Sequence, residues 1–256
     1  MTFMVPTHQK LVRLTKHKAQ KISVIMPAHN EADHIAEAIT ETACELRDTD
    51  CEIIVVDDGS LDGTREEAAT AASGNTNVKI VGYTENHGKG HALRYGSGYA
   101  TGDYVVFLDA DLDLHPRQIR TLLDVMETTN ADAVIGSKRH PESQLDYPWH
   151  RRLMSNAYYL LVKLLFGLPI HDTQTGIKLF RSEVLGKVLP KLIVKRFAFD
   201  LELLVVAHKF GFKMVEAPIV LNFQRGFGRI KMKDIRDIWI DTMAIFYRRY
   251  ILRYYD

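Results

Sequence analysis

Three carboxylates follow one apolar, β-rich run of this sequence. Asp109, Asp111 and Asp113 come directly after residues 104–108, whose side chains are typical of a buried strand. Hard divalent cations that carry phosphates prefer carboxylate oxygens and leave other positions to the substrate. We therefore predict a Mg²⁺ or Mn²⁺ site for a nucleotide diphosphate here. The alternative is that Asp113 caps a helix starting at Pro116.

The elements that must position these carboxylates alternate along the chain. β-Rich runs are predicted at 22–26, 52–56, 78–81, 104–108 and 131–135, and helices at 31–46, 63–72, 88–100 and 116–129. This spacing predicts an α/β fold with a mostly parallel sheet and helices on both faces. Ligands of such sheets bind beyond the carboxyl ends of the strands.

Polar loops follow four of these predicted strands, at residues 27–31, 57–60, 86–90 and 109–113. In the third loop, glycines allow close backbone approach at a helix start, where free N–H groups favour anions. Lys89 and Arg94 are therefore predicted diphosphate contacts, the alternative being a capped helix with solvated cations. The loop lacks the Walker spacing, and no Gly-x-Gly-x-x-Gly follows the first strand, which disfavours kinases, ATPases and dinucleotide oxidoreductases.

Bulk composition indicates a globular protein. The chain has 256 residues, of which 46% are hydrophobic and 25% charged. Cys44 and Cys51 have no metal-binding or CxxC spacing, so we expect buried thiols in a reducing compartment. No secretion signal is recognisable, and residues 1–21 are predicted to form a basic arm.

The net charge of +1 conceals an asymmetry between the two halves. Residues 1–128 hold 12 Lys and Arg against 20 Asp and Glu, whereas residues 129–256 hold 21 against 12. An acidic half suits metal ions, and a basic half suits phosphate groups or an anionic membrane. No nucleic-acid recognition motif accompanies the positive charge, so we expect no nucleic-acid partner.

The rhythm of elements changes after residue 137. We predict a basic loop at 138–152, an apolar helix at 153–168, a loop and strand at 171–181, a helix at 199–211, a strand pair at 213–224 and a terminal helix at 233–252. Residues 22–232 are interpreted as one catalytic domain and 233–256 as an amphipathic helix. Neither 153–170 nor 234–255 is apolar enough for a confident membrane span. The latter is predicted to lie in a membrane interface, or alternatively to pack on the core.

Several of these segments together resemble the family-2 glycosyltransferases of the GT-A fold. They are Val24 to Glu31, Val55 to Ser60, Asn86 to Gly90 and Asp109 to Asp111. The later segments Gly136 to Lys138, Asp172 to Phe180, Arg196 to Leu204 and Glu216 to Ile219 are similar to polyprenyl-phosphate (dolichyl-phosphate) hexose synthases. Among these, the Asp-Thr-Gln and Phe-Asp-Leu-Glu segments are most similar to dolichyl-phosphate β-glucosyltransferases.

The resemblance assigns a donor site to particular residues. It makes Asp58 the acceptor for a base N–H, with Pro27, Ala28 and Glu31 as the rest of the nucleoside pocket. It also makes Arg225, Gly228 and Lys231 a loop over the nucleotide. Asp57 is expected to stabilise its turn instead.

An acceptor site is implied in the same way. A lipid monophosphate is already anionic, so it needs cations rather than a general base. The resemblance puts this phosphate at Lys138, Arg151 and Ser155, and Arg139 is a substitute because relatives commonly carry Arg where Lys138 stands. We predict catalytic roles for Asp111, Asp172 and Arg151. Asp172 could instead cap its loop, and Asp200 and Glu202 could cap a helix or contact sugar hydroxyls.

These assignments predict an inverting, metal-dependent transferase that moves a hexose from a nucleotide-sugar to polyprenyl or dolichyl phosphate. UDP-glucose is the first expected donor, and GDP-mannose or another UDP-hexose is the alternative. The rivals are a family-2 transferase with a soluble acceptor and a nucleotide-sugar-binding membrane adaptor without turnover. We expect a peripheral protein on the cytoplasmic face of a membrane, and its oligomeric state stays open.

Overall fold

The computed structural model describes residues 20–145, 149–195, 198–221 and 232–256, and for 145, 149–154 and 232–235 it describes the backbone alone. The first part of the chain contains β1 (Ile22–Ala28), α1 (Ala32–Glu45), β2 (Cys51–Asp58), α2 (Thr64–Ala71), β3 (Val78–Tyr83), α3 (Lys89–Ser97), β4 (Tyr104–Phe107), α4 (Gln118–Thr129) and β5 (Ala133–Ser137). The second contains β6 (Gln144–Leu145), α5 (Trp149–Phe166), β7 (Lys178–Arg181), α6 (Ser182–Val188), α7 (Phe199–Lys209), β8 (Met214–Pro218), β9 (Val220–Leu221) and α8 (Met232–Phe246). A 3₁₀ turn, Leu189–Lys191, follows α6, and a π-helical turn, Tyr247–Ile251, follows α8.

One twisted sheet organises the chain, with the strand order β3-β2-β1-β4-β7-β5-β8. All neighbouring strands are parallel except β7, which runs antiparallel to both β4 and β5. The register places Ala28 beside Asp57 and Asp58 beside Tyr83, so β1, β2 and β3 end at one edge. A second, two-stranded sheet pairs β6 with β9.

Alternate side chains of the strands enter two separate cores, as expected for a sheet covered on both faces. One core joins α3, α5, α6 and α7 to strand residues such as Ile54, Phe107 and Phe180. The other joins α1, α2 and α4 to strand residues such as Val24 and Val55. The predicted α/β fold with a mostly parallel sheet is therefore confirmed.

Several predicted boundaries and pairings were wrong in detail. The helix expected from 116 begins at Gln118, and its N-cap is Arg117 with no side-chain cap bond, so Asp113 does not cap it. The expected helix at 153–168 begins at Trp149, inside the expected basic loop. The strands expected as a pair around Pro218 do not pair with each other, since β8 joins β5 and β9 joins β6. Helix α6 was not predicted, because its seven residues carry little periodic signal.

Two further expectations concern thiols and membranes. Cys51 is buried and burial raises the pKa of its thiol, but Cys44 is exposed, contrary to the expectation of two buried thiols. Within the described part of the chain, every helix falls short of the length and apolarity that a bilayer crossing requires. The domain bounds at 21 and 232 stay predictions.

Candidate active site

A pocket of about 210 Å³ opens where β1, β2 and β4 end and α3 begins. It is lined by Pro27, Ala28, His29, Glu31, Asp58, Lys89, Asp109, Ala110 and Asp111. The structure thus brings together most of the residues predicted for the donor and the metal. His29 and Ala110 had no predicted role, although both stand inside the polar loops that the sequence singled out.

Asp58 holds the glycine-rich loop in place from inside the pocket wall. Its Oδ1 accepts hydrogen bonds from the Tyr83 hydroxyl and the His87 N–H, both at 2.8 Å, and its Oδ2 accepts the Gly88 N–H at 2.9 Å. His29 Nδ1 lies 2.9 Å from the Asp58 carbonyl oxygen. Burial and the charge of Asp58 raise the pKa of Tyr83. The contact between Asp58 and a base stays a prediction, while Tyr83 is a supporting residue that the sequence did not reveal.

Asp57 has the turn-stabilising role expected as its alternative. Its Oδ1 accepts the Ser60 N–H at 3.0 Å, and Arg65 lies 3.8 Å from its Oδ2. Gly59 between them has φ +68°, and a Cβ there would lie 2.6 Å from the backbone of Glu85. Only glycine fits this close approach of two loops.

Lys89 and Asp109 form an ion pair across the pocket. The ammonium lies 2.5 Å from Oδ1 and 2.8 Å from Oδ2 of Asp109. Burial lowers the pKa of Lys89, but the charges of Asp109 and Asp200 raise it by more, so the net shift is upward. Lys89 is therefore a stable cation that already has a partner, rather than a solvated side chain.

Asp111 lies in the same pocket, where burial and neighbouring carboxylates disfavour its ionised form. Burial and the carboxylates of Asp109 and Asp113 raise its pKa to about 6, while its Oδ1 accepts the Asp113 N–H at 3.2 Å. Gly176 lies so close to the Asp109 carboxylate that a Cβ at this position would be 2.3 Å from Asp109 Oδ2. The backbone of the 172–176 loop therefore forms one wall of the acidic site.

The donor set fits a hard divalent cation in part. Asp109 and Asp111 supply carboxylate oxygens in one pocket, and their mutual repulsion would be relieved by a cation. Across the residues that the structure describes, no three Asp, Glu, His or Cys side chains converge with metal-binding geometry. Asp113 is not among the side chains that line the pocket. Its role as a third ligand stays a prediction, and the substrate's phosphates and water would have to complete the coordination.

Arg94 is not among the residues that line this pocket, and its contact with the diphosphate stays a prediction. It lies near the end of α3, and its guanidinium donates to the Leu192 carbonyl at 3.0 Å. The His91 N–H donates to the Lys195 carbonyl at 3.1 Å. These contacts connect α3 to the segment before α7.

A second polar cluster lies at the head of α5. The Arg139 guanidinium donates to Asn156 Oδ1 at 2.6 Å and to Ser155 Oγ at 2.9 Å, and it lies 4.8 Å from the centre of the Tyr159 ring. Two residues predicted for the acceptor phosphate therefore meet directly. Arg151 lies one turn earlier on α5, with its side chain outside the described set.

Lys138 is engaged by Asp172. Oδ2 of Asp172 accepts the Lys138 backbone N–H at 3.0 Å and lies 3.5 Å from its ammonium, while Oδ1 accepts the Gln174 N–H at 3.2 Å. Burial opposes ionisation of Asp172, but the charges of Lys138 and Lys178, the nearby Thr175 hydroxyl and the hydrogen bond from the Lys138 N–H together outweigh it and hold the pKa of Asp172 below its usual range. Asp172 thus organises both the 172–176 loop and the cation that the sequence predicted for the acceptor.

Asp200 and Glu202 serve the scaffold. Asp200 is paired at 2.8 Å with Lys178, whose side chain is almost completely buried, and Glu202 binds Arg248 at 2.9 Å. Neither residue caps α7, whose N-cap is Ala198 with no side-chain bond. Arg225, Gly228 and Lys231, predicted to fold over the nucleotide, lie outside the described residues.

The sequence is similar to a known family model and to several glycosyltransferases. The family model described as glycosyl transferase family 2 matches residues 23–189. The chain is 31% identical over 243 residues to dolichyl-phosphate β-glucosyltransferase ALG5A of Trichomonas vaginalis, covering 89% of this chain and 74% of that protein. It is 30% identical to ALG5C of the same organism, covering 88% and 71%. It is also 31% identical to the glycosyltransferase AglD of Haloferax volcanii, over 85% of this chain and 35% of that protein.

Solved structures share the architecture. Glucosyl-3-phosphoglycerate synthase from Mycobacterium tuberculosis, in complex with UDP, superposes with a TM-score of 0.69 at 19% identity, covering 90% of this chain and 80% of that one. The complex of the same enzyme with Mn²⁺, UDP and glucosyl-3-phosphoglycerate gives the same TM-score at 20% identity. The expected GT-A fold is thereby confirmed.

Proposed function

The chain belongs to glycosyltransferase family 2, and on that premise we propose that it transfers glucose from UDP-glucose to polyprenyl or dolichyl phosphate with inversion. One observation carries the proposal: the 172–176 loop connects the acidic pocket with the basic segment, because Gly176 lies against Asp109 and Asp172 pairs with Lys138. The two Trichomonas vaginalis relatives, named as dolichyl-phosphate β-glucosyltransferases, support the choice of sugar and acceptor.

The donor end of the reaction falls to the pocket residues. Pro27 and Ala28 end the first strand and would wall the base, with Asp58 as its acceptor and Glu31 beside the ribose. Asp109 and Asp111 would hold Mg²⁺ or Mn²⁺, and the Mn²⁺ complexes of the structural neighbour support the second of these ions. A bound cation there offsets the charge that develops on the leaving diphosphate.

The acceptor end needs cations and no general base. A lipid phosphate already carries the attacking oxygen as an anion, so the protein has to orient it and exclude other nucleophiles. The Arg139 guanidinium is planar and presents paired donors, which suit a phosphate. Ser155 adds a hydroxyl, and Lys138 and Arg151 are further proposed contacts, with Lys138 oriented by Asp172.

Association with the cytoplasmic surface of a membrane is part of this proposal. Large apolar side chains are exposed on α5, on α8 and on the residues that follow α8: Leu160, Leu164, Trp239, Ile240, Tyr247, Tyr250, Ile251, Leu252 and Tyr254. Arg249 and Arg253 stand among them in the sequence, and an apolar surface flanked by cations is typical of interfacial binding. One face of helix α8 packs inward, since Phe246 contacts Phe166, so the proposed membrane contact is assigned to its opposite face.

The proposal is tested by assaying labelled UDP- and GDP-sugars with a short polyprenyl phosphate and with a water-soluble alcohol. We expect transfer from UDP-glucose to the lipid phosphate, abolished by EDTA and reduced about a hundredfold in Asp111→Asn. Preference for GDP-mannose would correct the donor, and equal use of the soluble alcohol would contradict the lipid acceptor. Binding of the nucleotide-sugar without any release of free UDP would support the adaptor without turnover instead.

The membrane part has its own experiment. Liposomes of anionic lipid are sedimented with wild-type protein, with Leu164→Glu and with the exposed control Leu61→Glu, which lies in the loop before α2. We expect Leu164→Glu alone to weaken binding, because it places a charge in the apolar contact. Equal sedimentation of all three proteins would contradict this surface.

A further inference from the structure

The ion pair between Lys89 and Asp109 occupies the oxygens that a metal would need. Both carboxylate oxygens of Asp109 lie within 2.8 Å of the ammonium. The Lys89 and Asp109 side chains are 37% and 30% exposed, so water and ligands can reach the pair. Access of water to both groups offsets part of the cost of separating them. A ligand that gives each group a new partner can therefore separate the pair.

Metal and lysine cannot share Asp109 freely. A divalent cation approaches a carboxylate oxygen at about 2.0 to 2.6 Å, and the ammonium already lies 2.5 Å from Oδ1 and 2.8 Å from Oδ2 of Asp109. Two cations on one carboxylate would repel each other strongly in a partly buried pocket. Metal binding at Asp109 should therefore drive Lys89 to a new partner.

Movement of Lys89 would be confined to its side chain. The loop before it is held by Asp58, through the His87 and Gly88 N–H groups. The turn after it is fixed because Gly90 packs against Phe199, where a Cβ would lie 2.4 Å from that side chain. The flexible four-carbon stem of lysine can swing from a fixed backbone.

A suitable second partner is the donor's diphosphate. Lys89 is the first residue of α3, and the N-terminus of a helix favours an anion. The Lys89 side chain lines that pocket together with Asp109 and Asp111.

We propose that Lys89 stands in for the metal on Asp109 in the free enzyme and passes to the diphosphate when metal and nucleotide bind. This inference rests on the proposed donor site. The consequence is that metal and nucleotide affect each other's affinity. Metal alone separates Lys89 from Asp109 and leaves the ammonium without a partner, whereas with UDP present the ammonium can pair with the diphosphate. Metal and nucleotide therefore strengthen each other's binding by the same factor.

The experiment measures Mn²⁺ affinity from the electron paramagnetic resonance signal of the free ion, with and without UDP. Removing the lysine in Lys89→Met should tighten Mn²⁺ binding in the absence of UDP by about fivefold or more, and should shrink the gain that UDP produces. Lys89→Gln repeats the test with a polar side chain. Lys89→Arg keeps the charge and should behave like wild type. Lys79→Met is the matched control. Lys79 is an exposed lysine on β3 that contacts Tyr99, and its substitution removes the same charge at a different place.

The outcomes separate this inference from the proposed function. If wild type binds Mn²⁺ with UDP, but Lys89→Met and Lys89→Gln leave the affinity without UDP unchanged or weaker, the exchange is wrong and the donor site stands. The same conclusion follows if Lys79→Met tightens binding equally, because the effect is then a long-range charge effect. If wild type binds no Mn²⁺ even with UDP, the donor site itself is wrong and the exchange falls with it.

Discussion

The buried carboxylate of Glu202 accepts a hydrogen bond from the Arg248 guanidinium at 2.9 Å and so joins α7 to the C-terminal segment. The same Oε1 accepts the Tyr255 hydroxyl at 2.5 Å, and Oε2 accepts the backbone N–H groups of Ile193 and Val194. Each oxygen of this carboxylate therefore accepts two hydrogen bonds. Glu202 thus connects the residues after α8, which carry much of the exposed apolar surface, to residues 192–195. The same residues 192–195 contact α3.

Glu202→Gln should lower the free energy of unfolding by about 3 to 5 kcal/mol, because it leaves the Arg248 charge buried without its counter-ion. Arg248 is only 15% exposed in this pair, and Glu202 is fully buried. Urea titration measures the change. The control Glu183→Gln removes an exposed carboxylate from the first turn of α6 and should shift stability by less than about 0.5 kcal/mol. Equal small shifts in both variants would show that the buried network is not stabilising.

Two glycine-to-alanine substitutions provide a matched pair for the acidic site. At Gly176 a Cβ would meet Asp109 Oδ2 at 2.3 Å, whereas at Gly186 in α6 it would meet no atom within 4 Å. Gly176→Ala should displace Asp109 and lower kcat/KM about a hundredfold, the usual cost of a small misplacement at the reacting centre. Gly186→Ala should keep activity and add about 0.5 to 1 kcal/mol of stability. Full activity of a folded Gly176→Ala enzyme would separate Asp109 from catalysis.

Glu52 should make stability depend on pH. Burial opposes its ionisation, but the Ser23 hydroxyl and the N–H and hydroxyl of Thr101 outweigh burial and lower the pKa of Glu52. A lowered pKa contributes stability that is complete above the ordinary carboxyl pKa and is lost as pH falls through the shifted value.

The difference in unfolding free energy between wild type and Glu52→Gln should therefore be largest at neutral pH and shrink toward about pH 3. Chemical unfolding at a series of pH values measures it. The exposed control Glu66→Gln on α2 should show little difference at any pH. A Glu52→Gln difference that does not change with pH would contradict the role of the ionised form.

Arg139→Ala should raise the KM for polyprenyl phosphate about tenfold or more, the usual effect of losing hydrogen bonds to a charged group. The KM for UDP-glucose should stay unchanged, because Arg139 lies with Ser155 and Asn156 and does not line the donor pocket. Arg139→Lys should restore part of the affinity. Arg120→Ala on α4, which loses a contact with the Glu45 carbonyl, is the control for loss of a surface arginine. A rise in the KM for UDP-glucose instead would assign Arg139 to the donor.

The amino-acid sequence alone determined the fold class and which loops form the proposed donor site. Period-two and period-3.6 patterns are local, and parallel strands bring the loops after β1, β2 and β4 to one edge, so Pro27, Asp58 and Asp109 had to converge. Side-chain partners depended on the tertiary structure. Lys89 lies on Asp109, 20 residues away, while Arg94 in the same helix faces the Leu192 carbonyl. The position of β7, antiparallel between β4 and β5, likewise could be seen only in the tertiary structure. Strand pairing depends on contacts between distant segments, which no local pattern encodes.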